Sequence, residues 1–138
     1  MGTITYTDAF PDSQQYMRLF ETTGWNEVYK LSPSEFSTLL QRSWYIVSAY
    51  DKRKLVAVGR LVSDGVLYAM IYDMIVDPSY RKRGIGTVIL EKLVERCKAC
   101  GIRDIQLFSA KGKGTFYLER GFIERPADAP GMRYRRRR

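Results

Sequence analysis

The sequence predicts a mixed α+β fold in which helices pack on one central sheet. Three observations predict it. Runs rich in β-branched residues with alternating or continuous apolar character recur along the chain, as in "WYIVSAYD", "KLVAVGRLVSDG" and "VLYAMIYDMIVD". Between and after them lie stretches with apolar residues at helical spacing and recognisable caps. One apolar run passes through the basic, glycine-bearing turn Arg81-Lys82-Arg83-Gly84-Ile85-Gly86 directly into a helical pattern. The predicted order is β-α-α-β-β-β-α-β-α-β-β.

"TITYTDA" alternates and opens the chain as a strand. Pro11 and Asp12-Ser13 then start a helix whose Tyr16, Leu19 and Phe20 share a face, with Gly24 as its stop. A second helix begins with Ser32 as cap, Pro33 in the first turn and Glu35 three after the cap, and runs through Phe36, Leu39 and Leu40. The next two strands flank Asp51-Lys52-Arg53 as a hairpin. The third, nearly all apolar, reads as a central strand buried on both faces, ended by Asp77-Pro78. The following helix, "GTVILEKLVERCKAC", presents Ile85, Val88, Ile89, Leu93 and Cys97 on one face and stops at Gly101. "DIQLFSA" is a short strand and "GTFYLERG" a short helix closed by Gly121. "FIERP" is a strand, and "GMRYRRR" a candidate last one.

At 138 residues the chain fits one domain, 1–138, with a core large enough to need no staples. No apolar run reaches the ~18 residues of a membrane span, and the N-terminus lacks the basic start and apolar core of a secretory signal, so a cytoplasmic protein is expected. There is no histidine, and the only cysteines are Cys97 and Cys100. Serine–histidine and cysteine–histidine nucleophile pairs are therefore excluded, and no metal site is expected. The net charge of +8 owes five charges to Arg133 and Arg135–Arg138. Residues 133–138 read as a solvated basic tail or the end of a last strand rather than a nucleic-acid arm.

The basic turn reads as an anion site. A helix N-terminus offers about four unpaired N–H groups and the positive end of the helix dipole. Gly84 and Gly86 let the backbone approach a ligand, and Arg81, Lys82 and Arg83 add a positive rim. The spacing matches neither the P-loop nor the Rossmann fingerprint.

"IVDPSYRKRGIGTVILEKLV" resembles the central motif of the GNAT superfamily of acyl-CoA-dependent N-acyltransferases: a strand ending near V-x-P (Val76-Asp77-Pro78), then Arg81, Gly84 and Gly86, then a helix. "FYLERGF" is similar to the family's F-Y-x-x-x-G-F segment at Tyr117, Gly121 and Phe122. The two motifs stand in register with the right elements between them. "TTGWNEVY" and "YDMIVDPSY" show partial similarity to plastid and cyanobacterial members that acetylate arylalkylamines or protein lysines.

The resemblance implies a mostly antiparallel GNAT-type sheet and an acetyl-CoA-dependent N-acetyltransferase acting on a small or peptide amine. It implies that the pantetheine arm lies along the backbone near Met74 and Val76, and that the diphosphate rests on Arg81, Lys82, Arg83, Gly84, Ile85, Gly86 and Thr87. It implies Tyr117 as the acid that protonates the departing sulfur and the Val76 N–H as the oxyanion donor. Asp73, the sole carboxylate in its strand before the strand's end, is the leading candidate base; its other reading is a buried or bulge aspartate that bonds backbone. Tyr72 is the alternative, lining the acceptor site or relaying a proton through water. Lys111 and Lys113 are either contacts for the coenzyme's 3′-phosphate or solvated lysines. Phe20, Trp25, Tyr29, Tyr45, Met70 and Tyr72 are the expected acceptor-pocket residues, and homodimers are common in the family. The competing reading is a non-catalytic acyl-CoA-binding or nucleic-acid-associated module that uses its arginine tail.

Overall fold

The computed structural model describes residues 3–135. Two compact units follow one another in the chain, Met1–Gln106 and Leu107–Arg138. The first contains β1 (Ile4–Thr7), α1 (Ser13–Glu21), α2 (Asn26–Tyr29), α3 (Pro33–Gln41), β2 (Tyr45–Asp51), β3 (Lys54–Ser63), β4 (Tyr68–Val76), a 3-10 turn (Pro78–Tyr80) and α4 (Ile85–Ala99). β5 (Asp104–Leu107) runs across the boundary, and α5 (Gly114–Leu118) lies in the second unit.

The sheet order is β1-β2-β3-β4-β5, and the first four strands are joined antiparallel in sequence order. β5 sets out beside the start of β4, where the Arg103 and Asp104 amides donate to the Leu67 carbonyl. α1 and α3 cover one face. Tyr16, Leu19, Phe20, Phe36 and Leu40 there form one core with Ile46, Leu55, Val58 and Ile75. α4 packs across β2, β3 and β4. Its buried residues are Ile85, Ile89, Leu90, Leu93 and Cys97; the buried stripe takes in Leu90 where the sequence pointed to Val88.

The helix ends follow local chemistry. Ser32 Oγ accepts from the Glu35 amide while Glu35 Oε1 accepts from the Ser32 amide, a complete capping box ahead of Pro33. Asp12 caps α1 by accepting from the Gln15 amide. α2 is a helix the sequence reading did not anticipate, a single turn with no side-chain cap.

Two expectations need correction. β4 is not buried on both faces. Ala69, Ile71 and Ile75 are buried, whereas Tyr68 and Tyr72 are exposed, so the strand alternates as a strand with one open face does. The expected strands at "FIERP" and "GMRYRRR" do not form among the described residues, and the part of the tail at 136–138 lies outside them. Ile123 is 89% exposed and Met132 85%, so neither segment buries the alternate face that makes a strand worthwhile. Pro126 and Pro130 also remove ladder donors.

Candidate functional site

The site is built on an irregularity in the sheet. Val58 pairs with Ile75, and Arg60 pairs with Tyr72. Between those pairs β3 contributes only Gly59, while β4 contributes both Asp73 and Met74. This is a β-bulge, and its first residue, Asp73, takes φ +56°. Gly59 permits it. A Cβ there would lie 2.8 Å from Met74 Sδ and Ile89 Cγ2 and 2.9 Å from Leu93 Cδ1. Helix α4 therefore sits directly on the bulge.

The Asp73 carboxylate holds the bulge in place. Its Oδ2 accepts from the Tyr16 hydroxyl at 2.6 Å and from Arg60 Nε at 2.7 Å. Both partners are largely out of water, with side-chain exposures of 17% for Arg60 and 11% for Asp73. Burial, then the Asp73 charge, pushes the Tyr16 phenol well above its usual range, so it stays a donor. The structure thus places Asp73 in the bulge, bonded to side chains rather than to backbone. Tyr72, its neighbour, is 38% exposed and carries the Arg60 guanidinium 5.7 Å from its ring centroid.

Beyond the bulge β4 ends at Val76. The buried Asp77 donates its amide to the Val56 carbonyl at 2.7 Å and caps the 3-10 turn by accepting from the Ser79 amide. Arg18 and Lys54 lie 3.7 and 3.8 Å from its Oδ2. Tyr80 donates its hydroxyl to Asp51 Oδ2 at 2.6 Å, and Lys54 and Arg83 lie 5.3 and 4.9 Å from its ring centroid. This network fixes the turn that leads into α4.

At that turn Lys82 has φ +64° and Gly84, the residue before α4, has φ +79°. No backbone hydrogen bond among the described residues uses the amide N–H of Gly84, Ile85 or Gly86 as donor. Thr87, the last residue of the expected cradle, does have a partner of its own. Three unclaimed amides, Gly84 to Gly86, at the positive end of a four-turn helix, beside the Arg81, Lys82 and Arg83 side chains, are a donor set that suits a diphosphate. Met74 and Val76 lie one and three residues past Asp73, on the segment that the bulge re-aims.

Within the second unit, Tyr117 sits on α5 with its ring edge-on to Phe116 at 5.1 Å and to Phe122 at 5.8 Å. The Phe122 amide donates to the Tyr117 carbonyl, with Gly121 between them at φ +94°. Burial raises the Tyr117 phenol above its ordinary value, so it is protonated at neutral pH.

The six expected pocket residues do not come together at one site. Phe20 stacks edge-on with Trp25 and Phe36 in the core. Tyr45 lines a different cleft with Lys92 and Arg96 of α4. Tyr29 is exposed. What the sequence reading missed is an open groove of about 440 Å³ between α3 and β3, floored by Leu31, Leu39 and Val62 and edged by Glu35, Arg42 and Arg60. Arg60 joins this groove to Asp73. Gly59 inside an apolar strand was the available signal, since such a glycine marks a bulge or a close approach. The Arg60 and Tyr16 contacts carried no sequence signal.

The profile of the Acetyltransferase (GNAT) family matches residues 7–122. The chain is 39% identical over 84 residues to GCN5-related N-acetyltransferase 1, chloroplastic, of Arabidopsis thaliana, covering 60% of this chain and 43% of the relative. It is 34% identical over 83 residues to Serotonin N-acetyltransferase 2, chloroplastic, of Oryza sativa subsp. japonica, covering 60% and 42%. The chain therefore spans less than half the length of these two plant relatives. A GNAT-family acetyltransferase structure from Streptococcus pneumoniae superposes with a TM-score of 0.80 at 26% identity, covering 100% of both chains.

Proposed function

Given that this chain belongs to the GNAT family of acetyltransferases, we propose that it transfers an acetyl group from acetyl-CoA to a primary amine by direct attack on the thioester. The observation that supports acetyl-CoA is the row of unclaimed amides at Gly84, Ile85 and Gly86 at the start of α4. These amides hold the diphosphate, and the Arg81, Lys82 and Arg83 side chains neutralise it. Met74 and Val76 offer backbone groups to the pantetheine arm.

Acetyl-CoA supplies the acetyl group as a thioester, whose carbonyl carbon takes the amine nitrogen as its C–S bond breaks. The Val76 N–H stabilises the oxygen charge that develops in this step. Tyr117 gives its proton to the departing sulfur and is reprotonated from water. An acceptor that arrives as an alkylammonium, with a pKa near 10.4, loses two protons in reaching the amide, one to become a nucleophile and one as the C–N bond forms; one is balanced by the proton Tyr117 gives to sulfur and the other leaves to solvent. Asp73 and Tyr72 are the groups proposed to take the first of these from the amine. Asp73 Oδ2 already accepts two hydrogen bonds, which leaves Oδ1 for that task.

The groove between α3 and β3 is the proposed acceptor site. Its apolar floor favours an amine with an aliphatic or aromatic body, in line with the rice relative named for serotonin. Cytoplasmic location and homodimer formation are part of the same proposal, to be checked by fractionation and by light scattering.

The test is free-thiol release from acetyl-CoA across arylalkylamines, polyamines, amino sugars and lysine peptides. Turnover of one class, lost in Tyr117→Phe, supports the reading. No thiol release with any amine, together with no acetyl-CoA binding, removes it.

A further inference from the structure

Tyr16 stands on the buried face of α1 in one core with Leu19, Phe20 and Phe36, and none of its surface is exposed. Its ring lies 6.3 Å from that of Phe36, a packing role that a phenylalanine would fill as well. A phenol buried without a partner is costly, so the hydroxyl must be satisfied. Its partner is Asp73 Oδ2 at 2.6 Å, 57 positions along the chain. Core packing accounts for the ring at position 16, and only the bulge accounts for its oxygen.

Asp73 takes its two hydrogen bonds from different elements. Tyr16 reaches it from α1 and Arg60 from β3, and both bond the same oxygen. Arg60 is braced in turn. Its Nη1 donates to Ser43 Oγ at 3.3 Å, and the Ser43 hydroxyl donates to the Leu39 carbonyl at 2.7 Å. Leu39 and Arg60 both line the groove beside α3, so this chain of bonds joins the groove wall to the bulge. A carboxylate bonded by Arg60 alone can still turn about that contact, and a second donor at the same oxygen removes the freedom. The bulge backbone at φ +56° sets the Asp73 Cβ, two donors set Oδ2, and neither bond uses Oδ1.

We propose that Tyr16 is a positioning residue for the transfer step: its hydroxyl fixes the Asp73 carboxylate so that Oδ1 meets the ammonium proton of the acceptor amine. This rests on the reading of Asp73 as the base and adds a residue to it. Tyr16 is wholly buried and touches neither acceptor nor coenzyme; it acts through Asp73. The proton passes from the amine nitrogen to Oδ1 and leaves the nitrogen lone pair free to attack. Burial keeps the Tyr16 proton in place, so the phenol stays a donor to Oδ2. Proton transfer requires hydrogen-bond reach and alignment, and a carboxylate that can turn spends less time in both.

The test is steady-state kinetics of the full chain with acetyl-CoA and two acceptors of one shape, phenethylamine and its β,β-difluoro analogue. Phenethylamine arrives as an ammonium near neutral pH. The fluorines make the analogue weakly basic, so it arrives mostly neutral and needs no proton removed before attack. Tyr16→Phe keeps the ring in the core. It is expected to lower kcat/KM about tenfold for phenethylamine, a part of the 10²–10⁴ that a positioned base contributes, and about twofold or less for the analogue. The acetyl-CoA KM is expected to stay within about twofold, which also verifies folding, because Arg60 still holds the bulge. In an Asp73→Asn background Tyr16→Phe is expected to change neither amine by more than about twofold, since the group it positions is gone. A role confined to the fold would slow both amines alike and in both backgrounds. An equal fall with both amines, a fall that persists in the Asp73→Asn background, a rise of about fivefold or more in the acetyl-CoA KM, or no fall with either amine overturns the positioning role. Asp73→Asn with the rates of the full chain overturns the base reading itself, and Tyr16 with it. Thiol release with neither amine, where the full chain still binds acetyl-CoA, overturns the role and leaves the coenzyme reading standing; loss of that binding overturns both.

Discussion

Arg60→Leu tests whether the bulge is held by its ion pair. Arg60 Nε lies 2.7 Å from Asp73 Oδ2, and both side chains are mostly shielded from water. Removing one partner of a buried pair generally costs about 3–5 kcal/mol, because the other charge is left uncompensated. The Tyr16 hydroxyl still donates to the same oxygen, and Asp73 keeps 11% exposure, so the expectation here is about 2–3 kcal/mol. For a domain of this size that is a fall in Tm of roughly 8–12 °C. Asp73→Asn provides the second corner of a double-mutant cycle. Asparagine is at ease at φ +56°, so the substitution removes charge with little change in backbone strain. Urea unfolding of the two single variants and the double is expected to give a coupling of about 2 kcal/mol. A coupling below about 0.5 kcal/mol would refute the claim that the pair holds the bulge. The acetyl-CoA KM is expected to rise in Arg60→Leu, since Met74 and Val76 follow the bulge.

Gly84→Ala and Gly59→Ala are expected to fail for different reasons. No atom lies within 4 Å of a Cβ at Gly84, so its cost is the φ +79° backbone, about 1–2 kcal/mol, and acetyl-CoA affinity falls with it. At Gly59 the backbone is ordinary and the cost is overpacking against α4, about 1–3 kcal/mol by chemical denaturation. Tyr117→Phe is expected to lower kcat by about 10²-fold or more. Because burial raises the Tyr117 pKa, its donor form persists past the ordinary tyrosine value; kcat is expected to show no alkaline fall through about pH 9.5, and a fall near neutrality assigned to Tyr117 would contradict its role. Cys97 is buried with its thiol pushed up by burial, whereas Cys100 is exposed, so a thiol reagent is expected to titrate one cysteine in the folded protein and two in denaturant.

Local order determined what was legible in the sequence. The capping box at Ser32, the hairpin turning near Asp51-Lys52-Arg53, the stop at Gly101 and the helix faces at Tyr16, Leu19 and Phe20 depend on neighbours within a few residues, and the chain states them directly, though Asp51 itself pairs within the strand. The same holds for the basic turn ahead of α4, where amides, glycine and cations are all supplied by one segment. Tertiary structure alone decided the rest. That Asp73 stands in a bulge and bonds Tyr16 and Arg60 depends on residues 57 and 13 positions away. That Tyr80 braces the hairpin depends on a residue 29 positions away, and the groove beside α3 on strand and helix packing. The failed C-terminal strands teach the converse: an apolar-looking segment becomes a strand only when another part of the chain offers it an edge and a face to bury. Local preference is written in adjacent residues, whereas the pairing of a buried charge or a strand edge is an energy shared between distant ones.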